Sequence, residues 1–76
     1  METLYFKPTC PYCQKVLRAV EELCIKLNYK DISSSVYRDE LVAGGGKQTV
    51  PCLYTKDKQF MYESDDIVRY LRQQHG

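Results

Sequence analysis

Apolar residues in the first third of the chain follow first a strand pattern and then a helix pattern. The run "TLYF" at Thr3–Phe6 is rich in β-forming residues and predicts a short buried strand that Pro8 ends. Pro11 suits the first position of a helix, where the N–H that proline lacks would have no partner. Apolar residues then recur at helical spacing at Val16, Leu17, Val20, Leu23, Cys24 and Leu27. They predict an amphipathic helix that extends to Asn28.

A second strand and a second helix are predicted before the glycines at 44–46. The segment "LNYKDI" has the composition of a short strand. The serines at 33–35 suit the N-cap of the helix "VYRDELVA", because a serine hydroxyl accepts hydrogen bonds from free helix N–H groups. Three consecutive glycines then end this helix.

The remaining segment predicts a hairpin followed by a last helix. The strands "TVPCLYT" and "QFMYE" flank a polar turn at 56–58. Ser64 is expected to cap the helix "DDIVRYLRQQ", in which Asp65 and Asp66 suit the positive end of the dipole. The predicted buried face of this helix consists of Ile67, Val68 and Leu71. The order β-α-β-α-β-β-α predicts an α/β fold with a four-stranded mixed sheet flanked by three helices.

Length and composition limit the classes of protein to which the chain can belong. Its 76 residues predict a single domain over 1–76, and 43% hydrophobic with 28% charged residues is ordinary for globular proteins. A net charge of +1 gives no electrostatic basis for binding nucleic acid. No apolar run approaches the roughly 20 residues of a membrane span. The start lacks the pattern of a secretory signal, so we expect a cytoplasmic protein without membrane contact.

The stretch "KPTCPYCQKV" contains two of the four cysteines, Cys10 and Cys13, as a C-x-x-C pair. A structural zinc site needs a second ligand pair, but Cys24 and Cys52 are isolated and His75 is the only histidine. A structural disulfide is disfavoured, because so short a loop constrains the unfolded chain little and the cytosol keeps thiols reduced. Redox chemistry is the favoured interpretation.

The pair combines an activated thiol with a shielded one. Cys10 lies at the start of the first helix, where free N–H groups and the dipole favour a thiolate. Lys7 and Lys15 add positive charge nearby. Cys13 lies one turn further, on the apolar stripe, so its sulfur is expected to face the core. A nucleophile beside a resolving thiol suits disulfide exchange, and C-x-x-C before a helix in a β-α-β pattern indicates a thioredoxin-like fold.

The other two cysteines are interpreted as packing residues. Cys24 falls on the apolar stripe of the first helix, where a buried free cysteine acts as a small hydrophobic residue. Cys52 follows Pro51 in a predicted strand, and alternation alone allows it to face either side. Packing is favoured for Cys52, with a peripheral redox role as the alternative.

Three motifs, in this order, resemble those of a dithiol glutaredoxin over nearly the whole chain. They are "KPTCPYC" at 7–13, "KQTVPCLY" at 47–54 and "SDDI" at 64–67. The chain departs from that family at Tyr62-Glu63, where many glutaredoxins have two glycines. The segment "ESDDIVRYL" instead resembles the E-S-x-x-I-x-x-Y-L stretch of glutathione transferase N-terminal domains, which also binds the γ-glutamyl end of glutathione.

The glutaredoxin resemblance implies a glutathione-dependent thiol–disulfide oxidoreductase. By position, Cys10 would be the nucleophile and Cys13 the resolving thiol. Lys7 and Gln48 would hold the glycine carboxylate of glutathione, since a cation and an amide donor both suit a carboxylate. Tyr12 would flank the tripeptide.

The resemblance also assigns the rest of the glutathione site. Thr49-Val50-Pro51 matches the T-V-P motif of the family, in which the proline is cis. The backbone of Val50 would pair with glutathione like an added strand. Ser64 and Asp65 would receive the γ-glutamyl end, because helix N–H groups suit an anion and a carboxylate suits an ammonium.

The resemblance implies the following partners. Glutathione would be a co-substrate and not a tightly bound cofactor, no metal is expected, and the protein substrates would be glutathionylated or disulfide-containing proteins. A monomer without a nucleic-acid partner is expected. Two alternative functions use the same thiols: an iron–sulfur cluster held by Cys10 and glutathione in a dimer, or electron donation that depends on thioredoxin reductase.

Overall fold

The computed structural model describes residues 1–75, in which four strands and three helices follow one another in the predicted order. The strands are β1 (Thr3–Phe6), β2 (Asn28–Asp31), β3 (Cys52–Tyr54) and β4 (Phe60–Met61). The helices are α1 (Pro11–Glu22), α2 (Ser35–Gly45) and α3 (Ser64–His75). None of these helices has the length and apolar character needed to cross a membrane.

The four strands form one mixed sheet in the order β2-β1-β3-β4. Strand β1 runs parallel to β2, with Leu4 opposite Tyr29, and antiparallel to β3, with Leu4 opposite Leu53. Strands β3 and β4 form an antiparallel hairpin. A parallel pair needs a crossover connection, which α1 supplies. The predicted α/β, thioredoxin-like fold with a four-stranded mixed sheet and three helices is confirmed.

Helices cover both faces of the sheet, because neighbouring strand residues point to opposite sides. Leu4 and Leu53 belong to the larger core, which α1 and α3 complete. Its helical members are Val16, Val20, Ile67 and Leu71. Tyr5 and Cys52 belong to a second, smaller core, where they pack with Leu41 of α2. The three helices thereby hold the sheet in place, including the end of β1, after which the cysteine pair follows at the start of α1.

The first helix is shorter than predicted and ends at Glu22. The N–H of Ile25 donates to the carbonyl of Val20 at 3.1 Å. The N–H of Cys24 donates to the carbonyl of Glu21 at 3.2 Å, which completes a Schellman helix end. Cys24 has φ 53°, in the left-handed region that glycine normally occupies. Its side chain is exposed, so the prediction that Cys24 is a buried packing residue is wrong.

The other helix boundaries lie close to the predicted positions. Ser34 occupies the N-cap of α2, and Gly46 ends this helix with φ 85°, a conformation that glycine adopts freely. Ser64, predicted as the cap of α3, is instead its first helical residue. The carbonyl of Glu63 accepts the hydrogen bond from the N–H of Ile67 at 2.9 Å, so Glu63 takes the capping position.

The predicted hairpin is present, but both of its strands are shorter than the predicted segments. Residues 49–51 lie outside β3 in a loop, and the bond between Val50 and Pro51 is cis, as the resemblance implies. The turn between β3 and β4 closes where the N–H of Lys58 donates to the carbonyl of Thr55 at 2.9 Å. The loop that precedes β3 is therefore free of ladder pairing and available to form a site.

Candidate functional site

A cleft of about 320 Å³ lies between the start of α1, the loop before β3 and the start of α3. Its lining consists of Tyr12, Thr49, Val50, Pro51, Tyr62, Glu63, Ser64 and Asp65. Two further hollows along α1 are lined by charged side chains such as Arg18 and Glu22, and none of the residues that the sequence assigns to the site lines either of them. The cleft beside the loop is therefore the candidate site.

The cysteine pair lies at the edge of this cleft. The sulfur of Cys10 is 3.9 Å from the carbonyl oxygen of Val50, which lines the cleft. Cys13 lies beneath the surface and is fully buried. The structure thus brings Cys10 together with most of the residues that the sequence assigns to glutathione. Lys7 and Gln48 are exposed and do not line the cleft, so their assignment to a carboxylate stays a prediction.

Cys10 occupies the N-cap position of α1, directly before Pro11, and its N–H donates to the carbonyl of Lys7 at 3.0 Å. Burial raises the pKa of the Cys10 thiol, but hydrogen bonds from the backbone and thiol of Cys13 and from the Tyr12 backbone lower it. The positive charge of Lys7 lowers this pKa further, and the net result is a pKa below the ordinary value. The start of the helix therefore favours the Cys10 thiolate.

Cys13 has the opposite environment. Burial raises the pKa of Cys13 to about 11, and the neighbouring Cys10 adds to the rise. A hydrogen bond that the sulfur of Cys13 accepts from the N–H of Lys7, at 3.5 Å, acts in the other direction. At neutral pH Cys13 is therefore a thiol, whereas Cys10 has the larger thiolate fraction.

The two lysines predicted to activate Cys10 differ in the structure. Lys7 lowers the pKa of Cys10, whereas the ammonium of Lys15 forms a salt bridge with Asp65, between α1 and α3. The side chains of Lys15 and Asp65 are 50% and 71% exposed, so this pair contributes little stability and exchanges readily for other partners. Asp65, predicted to receive an ammonium group, already faces one.

Neither of the other cysteines is placed to exchange with Cys10. Cys24 follows the opposite end of α1, roughly 18 Å away for a helix of 12 residues that rises 1.5 Å per residue. Cys52 is fully buried, and this burial raises its pKa to about 12 despite hydrogen bonds with Tyr62 and the Met61 backbone that lower it. A buried thiol with so high a pKa is a poor nucleophile, which supports the packing interpretation of Cys52.

Tyr62 and Glu63 line the cleft, although neither of them is among the site residues predicted from the sequence. The signal was present in the sequence, since these two residues stand where the resembled motif has glycines. The exposed carboxylate of Glu63 places a second negative charge in the lining beside Asp65. The predicted γ-glutamyl end of the site therefore differs from that of a protein with two glycines at these positions.

The contrast between Lys7 and Lys15 predicts how the reactivity of Cys10 changes with pH. Only a thiolate reacts with iodoacetamide, so the alkylation rate of Cys10 should rise with pH about a midpoint below the ordinary cysteine value. Lys7→Gln removes a charge that lowers this pKa, so the midpoint moves to higher pH and alkylation at neutral pH slows. Mass spectrometry of the peptide that carries Cys10, followed over time at each pH, measures the rate.

The matched control for this experiment is Lys15→Gln, which removes the same charge from a residue that is paired with Asp65. We expect this variant to keep the midpoint of the unaltered protein. An equal shift in both variants, or no shift in Lys7→Gln, would contradict the assigned role of Lys7.

Comparison with protein families matches residues 4–76 to the family described as "Glutathione S-transferase, N-terminal domain". The comparison with curated proteins returned no match. Because the family match spans nearly the whole chain, it covers both the cysteine pair and the segment that begins α3.

Solved structures with the same fold include glutathione transferases and a homologue of them, each much longer than this chain. Glutathione S-transferase 1-6 from Anopheles dirus species B is 29% identical, with a TM-score of 0.81 over 97% of this chain and 36% of that chain. A delta-class glutathione transferase from Nilaparvata lugens is 28% identical, with a TM-score of 0.81 over 100% of this chain and 37% of that one. A glutathione transferase homologue from Sulfitobacter, solved with bound glutathione, is 23% identical, with a TM-score of 0.80 over 99% and 37%. The chain thus spans little more than a third of the length of these neighbours.

Proposed function

Because the chain belongs to the family of glutathione S-transferase N-terminal domains, we propose that its cleft binds glutathione and that Cys10 uses it for thiol–disulfide exchange. The observation that carries this proposal is the difference between the two thiols. Cys10 lies at the edge of the cleft with a lowered pKa, whereas Cys13 is buried with a pKa of about 11. An accessible thiolate beside a shielded thiol suits a nucleophile with a resolving partner.

The cleft offers complementary groups to each part of glutathione. The backbone of Val50 would pair with the tripeptide as an added strand, which places the glutathione sulfur near the sulfur of Cys10. The free N–H groups at the start of α3, with the hydroxyl of Ser64, would take the γ-glutamyl carboxylate. Glu63 and Asp65 would take its ammonium, for which Asp65 releases Lys15.

The proposed reaction with a glutathionylated protein has two exchange steps. The Cys10 thiolate attacks the glutathione sulfur of the mixed disulfide, a bond forms between these sulfurs, and the protein sulfur leaves as a thiolate that takes up a proton. The thiolate of a second glutathione then attacks the sulfur bound to Cys10. Oxidised glutathione leaves and the Cys10 thiolate is restored. One glutathione is consumed per mixed disulfide: its sulfur and the glutathione sulfur already bound to the protein end in oxidised glutathione, and the protein sulfur is reduced to a thiol.

A protein disulfide would use both cysteines. The Cys10 thiolate attacks one sulfur of that disulfide and releases the other as a thiolate. Cys13 then loses its proton and attacks Cys10, which releases the second protein sulfur and leaves a disulfide between Cys10 and Cys13. Two glutathione molecules would reduce this disulfide and end as oxidised glutathione.

Glutathione conjugation is the second candidate function, and the family match favours it. In that reaction the glutathione sulfur itself attacks an electrophile, so no protein thiol forms a covalent bond. The two candidates therefore differ in whether Cys10 takes part.

Parallel assays on the unaltered chain separate the two candidates. We expect glutathione-dependent reduction of a glutathionylated peptide, followed through glutathione reductase and NADPH, well above the rate without protein. We expect no catalysed conjugation of glutathione to an aromatic chloride. Conjugation without reduction would overturn the proposed thiol exchange and favour the transferase.

A further inference from the structure

Tyr62 joins the start of α3 to the loop that carries Val50, and we propose that it is a positioning residue that holds this loop in the shape that binds glutathione. This inference rests on the proposed function. The ring of Tyr62 lines the cleft. Its hydroxyl accepts a hydrogen bond from the N–H of Lys47 and donates one to the carbonyl of Lys47, each at 3.3 Å. One side chain thus pairs with both backbone polar groups of the first loop residue.

The loop has few other attachments. Residues 47–50 have no regular secondary structure. Within the described part of the chain, the hydrogen bonds that tie these four residues to other elements are those of Tyr62 and, in the thiol form of Cys10, one from its sulfur to the carbonyl of Val50. Lys47 lies only three residues before Val50, so the placement of its backbone restricts where the carbonyl of Val50 can lie. The geometry between Val50 and Cys10 therefore depends on Tyr62.

Tyr62 is itself held on several sides. The ammonium of Lys47 lies 5.4 Å from the centre of its ring, within the range of a cation–π interaction. Its hydroxyl also lies beside the buried thiol of Cys52. At the end of α2, a Cβ atom added to Gly45 would lie 1.9 Å from the Tyr62 hydroxyl oxygen. The last turn of α2 can close on Tyr62 only because Gly45 has no side chain.

Tyr62→Phe tests the inference, because it removes the hydroxyl and keeps the ring. We expect the KM for glutathione to rise about fivefold, as the loss of hydrogen bonds of ordinary strength implies. We expect the pH midpoint of Cys10 alkylation to stay unchanged, since Cys13, the Tyr12 backbone and Lys7, which lower the pKa of Cys10, are unaltered. We also expect the amide of Lys47 to exchange its hydrogen about tenfold faster.

Tyr54→Phe is the matched control. Tyr54 packs in the same small core and stacks on Phe60, but its hydroxyl makes no hydrogen bond with the described residues. This variant is expected to keep both the KM and the exchange rate. If Tyr62→Phe left the exchange of residues 47–50 unchanged, the positioning role would be wrong, whatever the activity. If the unaltered chain had no glutathione turnover, the proposed function would fail, and the exchange result would still decide the role of Tyr62.

A double-mutant cycle tests the contact between Gly45 and Tyr62 directly. Gly45→Ala should lower the equilibrium constant for folding at least about fivefold less in the Tyr62→Phe background than in the unaltered chain. The hydroxyl oxygen at 1.9 Å from the new methyl group is then gone, and the contacts that remain, with Phe60 and the ring of residue 62, are at 3.0 Å. Gly46→Ala is the control: Gly46 has φ 85° but no neighbour within 4 Å of an added Cβ. Its cost should be the same in both backgrounds. Additive costs for Gly45→Ala would contradict the inferred contact.

Discussion

Replacing Cys10 with serine is expected to abolish glutathione-dependent reduction of a protein–glutathione mixed disulfide. A serine hydroxyl is not ionised near neutral pH and forms no disulfide, so the first exchange step is lost. Cys13→Ser is expected to retain this activity, because a second glutathione resolves the intermediate. The same Cys13→Ser variant should lose the route to protein disulfides that depends on an internal disulfide. The coupled assay with glutathione reductase, run with each kind of substrate, measures these rates.

Cys24→Ser is the control for these variants, because Cys24 is an exposed thiol at the other end of α1. It is expected to have the full activity of the unaltered chain. Activity in Cys10→Ser together with inactivity in Cys13→Ser would reverse the assignment of nucleophile and resolving thiol.

Replacing Ile67 with alanine is expected to lower the free energy of unfolding by about 2–5 kcal/mol, as for large-to-small substitutions in other protein cores. Ile67 is fully buried and packs in the larger core between α1, α3 and the sheet. A domain of 76 residues has a total stability of roughly 4–11 kcal/mol, so this loss is a large fraction of it. Urea denaturation followed by circular dichroism measures the change.

Val36→Ala is the control for this substitution, since Val36 lies on α2 and is 67% exposed. We expect it to change the free energy of unfolding by less than about 0.5 kcal/mol. Equal effects at Val36 and Ile67 would contradict the packing of α3 against the sheet.

Local sequence signals were sufficient for most of the fold. The strand at Thr3–Phe6 is a β-rich run ended by a proline nearby, and the start of α1 is set by Pro11. The glycines at 44–46 end α2 because Gly46 takes a left-handed conformation. Each of these signals acts within a few residues, so the element that it starts or ends can be predicted without knowledge of tertiary contacts.

The end of α1 shows where local signals failed. Apolar residues continue at helical spacing through Leu27, but Leu23 and Ile25 contact the larger core from a turn and not from a helix. Apolar periodicity indicates which residues face a core but not whether they lie in a helix. A compact turn at the end of α1 brings Leu23 and Ile25 to the core equally well. The identity of Cys24 did not indicate that the helix ends there, because glycine and not cysteine is the usual residue at a left-handed helix end.

The sequence predicted most of the residues that line the candidate site but not the long-range contacts between them. The motifs at 7–13, 47–54 and 64–67 contain most of the cleft lining. The salt bridge between Lys15 and Asp65 joins residues 50 positions apart, and the hydrogen bonds between Tyr62 and Lys47 span 15 positions. Pairings at such separations depend on how the helices pack, which neither spacing nor composition specifies.

The decisive measurement for the proposed function is whether Cys10 forms a covalent adduct with glutathione. The chain with Cys13→Ser and Cys24→Ser is treated with oxidised glutathione and analysed by mass spectrometry of its peptides, beside a matched chain with Cys10→Ser and Cys24→Ser. We expect one glutathione on Cys10 in the first chain and none on the buried Cys52 in either chain. The absence of an adduct on Cys10, or an adduct confined to Cys52, would contradict the claim that Cys10 is the nucleophile.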